Sequence, residues 1–95
     1  MKLIIDVPRT FDITLEQLEE FLIGSGWNKL PHNDNTNKFQ SQKYSNVYVI
    51  LPKIEGTLVD EEHLVFGALR LIANVNNNCE IETIINRVLG VDTTD

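Results

Sequence analysis

The chain has 95 residues, of which 42% are hydrophobic and 23% charged, a balance that excludes a disordered or fibrous chain and fits one small globular domain. Acidic residues outnumber basic ones 14 to 8, for a net charge of −6, so composition gives the chain no general affinity for phosphates. No apolar run approaches the roughly 20 residues of a membrane-spanning helix, and the lone Cys79 rules out an internal disulfide, so a cytoplasmic protein without a membrane is expected.

In chain order, "KLIIDV" over 2–7 reads as a first strand, with Leu3, Ile5 and Val7 on one side, Ile4 on the other, and Pro8 as its stop. Thr14 and Gln17 are spaced as a capping box. Leu15, Leu18 and Leu22 follow at helical spacing opposite Glu16, Glu19 and Glu20, and Gly24 and Gly26 offer a left-handed residue to close a helix over 14–24. Residues 27–30 read as a short strand, and "PHNDNTN" over 31–37 as a polar turn. Two further strands, over 38–42 and 46–52, complete an expected meander.

After Pro52 the apolar period lengthens to that of a helix. With Asp60 as cap and acids in the first turn, Leu64, Ala68, Leu71, Ile72 and Val75 form a stripe that Val65 and Leu69 widen, giving the longest helix, over 60–75. "NVNNN" breaks it. A last helix is expected from Asn78 or Cys79, with Ile81, Ile84, Ile85, Val88 and Leu89 on one face and Gly90 after it. The predicted fold is α+β, in the order β-α-β-β-β-α-α: a small, mostly antiparallel sheet of three or four strands with the helices on one face. Residues 1–90 form one domain and 91–95 a flexible tail.

The motifs that carry chemistry fail when their spacing is examined. "NDNTN" alternates oxygens as a calcium loop does, but an EF-hand needs Gly at its sixth place and Glu at its twelfth. From Asn33 those places hold Lys38 and Tyr44, and from Asp34 they hold Phe39 and Ser45. His32, His63 and Cys79 lack the paired spacing of a zinc site. Glu61 and Glu62 beside Asp60, and Glu19 beside Glu20, are neighbours in sequence that do not face one another on a helix, so they read as solvated faces. Neither catalytic residues nor a cofactor is expected.

The uneven distribution of charge is more informative than its total. Residues 27–53 carry Lys29, Lys38, Lys43 and Lys53 against Asp34 alone, while both flanks are acidic. Trp27, Phe39, Tyr44 and Tyr48 lie among these lysines, the mixture by which some sheets hold single-stranded nucleic acid. The structural reading of the same residues is that Trp27 and Phe39 belong to the core and that the lysines guard strand edges.

"FLIGSGW", then "VYVILP", then "EEHLVFGALRLIANVNNNCEIETIINRVL" resembles a class of small bacterial α+β modules of uncharacterised function. They share a helix ending before Gly-Trp, a strand ending in an aliphatic residue and Pro, and an acidic entry into an "AL..IA" helix. The likeness covers roughly residues 15 to 89 and implies a binding or assembly role. The outline is also similar to that of small toxins of the double-stranded-RNA-binding shape, which use a strand histidine that Phe39 and its neighbours do not supply.

The functional expectation is therefore a non-enzymatic module that binds a protein partner, or a second copy of itself, through the sheet face or the 60–75 helix. "KYSNVYVILPK" carries it: Val47, Val49 and Leu51 alternate with Tyr48 and Ile50, so the strand is apolar on both faces. Tyr44, Tyr48, Ile50, Lys38 and Lys43 are the candidate partner-binding residues. The alternative is nucleic-acid binding by the basic, aromatic segment 27–53.

Overall fold

A computed structural model describes residues 2–6 and 9–90, with the side chains of Leu3 and of Thr10 onward. The expectations for the side chains of Ile4 and Ile5, for Val7 and Pro8, and for the 91–95 tail lie outside the described residues.

The chain runs β1 (Lys2–Asp6), β2 (Arg9–Asp12), α1 (Leu15–Gly24), β3 (Trp27–Pro31), β4 (Thr36–Ser41), β5 (Tyr48–Pro52), α2 (Glu61–Val75) and α3 (Ile81–Leu89). The α+β class is as expected, and β3, β4 and β5 form the antiparallel meander in that spatial order. β2 is an addition. It pairs with β1 as a separate two-stranded hairpin, so the first strand does not join the main sheet. The signal for it is a short alternation: Phe11 packs on the core and Ile13 is fully buried, while Thr10 and Asp12 are exposed.

Phe39, Val49 and Leu51 face the helices and join Leu18, Leu22, Val65, Leu69, Ile72, Ile84 and Ile85 in one core. Trp27, at the head of β3, is buried with them. α2 packs chiefly on β5 and α3, and α1 on β3 and α3, so the helices cover one face of the sheet. The other face, with Asn28, Leu30 and Tyr48 exposed and Lys38, Gln40 and Ile50 half-buried, is left open.

Local chemistry sets the ends of the elements. The capping box forms: the Gln17 amide donates to Thr14 Oγ1 at 3.1 Å, and the Thr14 amide to Gln17 Oε1 at 2.9 Å. Gly26, at φ 91°, takes the left-handed turn that follows α1, and Gly24 remains the last helical residue. Asn33 builds the β3–β4 turn, its Oδ1 accepting from the amides of Asn35 and Thr36 and from Thr36 Oγ1, each at 2.8 Å. Asn77 and Asn78 both adopt left-handed φ and turn the chain from α2 to α3, whose first helical residue is Ile81.

Two acidic residues at the entry to α2 depart from expectation. Asp60 precedes α2 without a side-chain cap bond. Glu61 is buried instead, at 7% exposure, because its carboxylate accepts from the Gly56 amide at 2.8 Å and holds the preceding loop. In the same loop, Glu55 Oε1 accepts from the Leu15 amide at 2.7 Å. A carboxylate forty residues away thus satisfies a free donor in the first turn of α1.

Candidate functional site

The alternation in β5 sorts its side chains as the sequence requires. Val49 and Leu51 are buried, whereas Tyr48 is 48% exposed and Ile50 half-buried on the open face. β5 is also an edge strand, since the sheet order ends with it. Its double apolar character therefore does not come from a central position with both faces covered.

The five candidate residues fall into two groups. Lys38, on the central strand β4, stands opposite Ile50 and places its Nζ 4.4 Å from the centroid of the Tyr48 ring, a diagonal cross-strand cation–π contact. Leu30 lies opposite Lys38 on the other side, so the row Leu30, Lys38, Ile50 crosses the open face next to Tyr48. Leu30, 42% exposed, is an apolar member of this face that the charge pattern of 27–53 does not point to.

Lys43 and Tyr44 lie apart from these, in the β4–β5 connection, with Lys43 Nζ 5.4 Å from the Tyr44 ring. They border a cavity of about 90 Å³ together with Phe21, Trp27 and Val75. The Tyr44 amide donates to Ser41 Oγ at 3.0 Å, and Gln40 Nε2 donates to the carbonyls of Ser45 and Val47, which fastens the connection to β4.

The structure divides the aromatics of segment 27–53 differently from a stacking platform. Trp27 is 6% exposed and Phe39 is fully buried, so neither ring is open to a base. Lys29 donates to Glu19 Oε1 at 3.0 Å and covers α1 rather than projecting freely. Lys38 is on the central strand, so edge protection does not explain it.

A further site feature lies beside β5. A trough of about 250 Å³ runs between Tyr48, Val49 and Ile50 and one face of α2, formed by His63, Leu64, Gly67 and Leu71. A second hollow, of about 400 Å³, adjoins it across His63 and Gly67 and is lined by Phe66 and Arg70. Leu64 and Leu71 are only half-buried, because the α2 stripe is wider than β5 can cover. The width of that stripe is visible in the sequence. Which strand it overhangs is not.

His32 is exposed in the β3–β4 turn and His63 in the first turn of α2, while Cys79 packs partly against the core ahead of α3. Among the described residues, no three His, Cys, Asp or Glu side chains come together as a metal site would require. No helix of the described residues is long and apolar enough to cross a membrane. The chain matches no protein-family model, no curated protein and no solved structure.

Proposed function

We propose that this domain is a non-enzymatic protein-interaction module that binds through the open sheet face at β5 and the adjoining flank of α2. The observation that supports this is the continuity of Tyr48 and Ile50, on a strand that ends the sheet among the described residues, with the half-buried Leu64 and Leu71 of α2. Apolar side chains gathered at one sheet edge mark a partner surface more than the same residues scattered singly. One cysteine and no disulfide suit a reducing, cytoplasmic setting. The resemblance to small bacterial modules points to the same binding or assembly role.

The test pairs light scattering with capture. Immobilised wild-type domain is compared with Ile50→Asp, which places a charge at the centre of the surface without touching the buried face. Partner recovery, or a mass above the monomer, is expected to drop in the variant. A strictly monomeric wild type that recovers no protein overturns the reading.

The nucleic-acid alternative rests on Lys38 and Tyr48, a cation and a ring side by side on an open sheet. It predicts binding to single strands that weakens steeply as salt rises. A flat gel-shift titration at low salt removes it.

A further inference from the structure

The hydrogen-bond pattern shows what the β5 edge offers. At one end of the β4–β5 ladder the Ser41 amide donates to the Val47 carbonyl at 3.0 Å, and at the other the Lys53 amide donates to the Asn35 carbonyl at 2.9 Å. Odd-numbered residues of β5 therefore bond to β4, and antiparallel alternation turns the N–H and C=O of Tyr48 and Ile50 toward the free side. No strand among the described residues pairs there. Pro52 has no N–H, so the available ladder is short and ends at that residue.

The trough lies along this free side. Its far wall on α2 contains Gly67, a residue that weakens a helix interior. Internal packing does not require it, because a Cβ built there would meet nothing within 4 Å. Its effect is to leave that wall free of a side chain.

The charge of this wall differs from that of the rest of the protein. Acids outnumber bases 14 to 8 overall, yet none of the residues lining the trough or the adjoining hollow is acidic. Glu61 is buried and bonded to the Gly56 amide. Lys38 stands over Tyr48 on the sheet side and Arg70 lines the hollow on the helix side.

We infer that the trough binds an extended segment of a different protein as a fourth strand on β5, and that this segment alternates aliphatic and acidic side chains. This rests on the protein-binding reading and names its occupant. Backbone bonds to Tyr48 and Ile50 supply the pairing, Leu64, Gly67 and Leu71 receive the aliphatic side chains, and the acids, which alternate onto the open sheet face, meet Lys38, while Arg70 adds positive potential from the helix side. A second copy of the chain fits less well, since edge-to-edge pairing about a two-fold axis sets these cations against their own duplicates.

The probe is a short capped peptide alternating Glu with Val and Ile, and its control has Lys in place of Glu. In an amide NMR titration the Glu peptide is expected to shift Tyr48, Ile50, Leu64, Gly67 and Leu71, and to slow exchange of the Tyr48 and Ile50 amides about tenfold, the factor that ~1.4 kcal/mol of added protection gives. The Lys peptide is expected to bind at least about tenfold more weakly, a difference that shrinks with salt. Gly67→Leu, for which the wall has room, is expected to keep its circular dichroism and lose binding. Shifts mapping elsewhere, equal binding of the Lys peptide, no binding by either, or full binding by folded Gly67→Leu each overturn the assignment. If the peptide fails while capture of a partner depends on Tyr44 and Lys43, the interaction module stands with a different surface. If wild-type domain captures nothing, both readings fall.

Discussion

The two faces of β5 are built from similar residues and do different things. Val49 and Leu51 are 3% and 0% exposed and lock the strand to the helices, while Tyr48, one residue away, is 48% exposed. Aliphatic and aromatic content alone does not separate them, but position relative to α2 does. The inner face is where stability is concentrated, and the outer face and free edge can change at little cost to folding. Partner surfaces in small domains are found in such places, because a residue needed by the core is not free to contact anything else.

Substitutions at matched positions test this contrast. Phe39→Ala, on the inner face, removes a fully buried ring and is expected to cost about 3–5 kcal/mol, a large share of the roughly 5–15 kcal/mol available to a domain. Urea unfolding should show a much lower midpoint, and a loss no larger than that of Tyr48→Ala would contradict the contrast. Glu61→Ala leaves the Gly56 amide without its acceptor and is expected to cost about 1–3 kcal/mol. Glu61→Gln retains an oxygen and should recover part of that loss in a thermal melt.

Smaller effects belong to the helix start and the open face. Thr14→Ala removes one half of the capping box and should cost about 1 kcal/mol, read from the same melts. Tyr48→Ala is expected to change stability by less than about 1 kcal/mol, since it loses an exposed ring and its contact with Lys38. A double-mutant cycle over Lys38→Met and Tyr48→Leu isolates that contact. Coupling well above 1 kcal/mol would mean that the open face supports the fold, which would weaken its assignment to a partner.

Much of the fold could be read where neighbours in sequence are also neighbours in space. The Thr14–Gln17 box, the left-handed turn at Gly26, the Asn33 turn and the break at Asn77 and Asn78 involve residues a few positions apart. The β2 strand is harder to see. Pro8 argues for a stop, and the alternation of Phe11 and Ile13 is too short to outweigh it until β1 supplies a pairing partner. Glu61 departs from expectation for a similar reason: an acid in the first turn of a helix is normally solvated, and only the approach of Gly56 gives it cause to be buried.

For the candidate site, which side chains share a face of β5 and how wide the apolar stripe of α2 is can be read from residue order alone, because the periods of 2 and 3.6 are local properties of the backbone. Tertiary structure alone decided that β5 is an edge, that Leu64, Gly67 and Leu71 lie beside Tyr48 and Ile50, that Lys38 covers the Tyr48 ring, and that Lys43 and Tyr44 lie elsewhere. Strand order and helix placement are set by the burial of residues far apart in the chain. No window of sequence carries that information, because the free energy that fixes it belongs to the packed core as a whole.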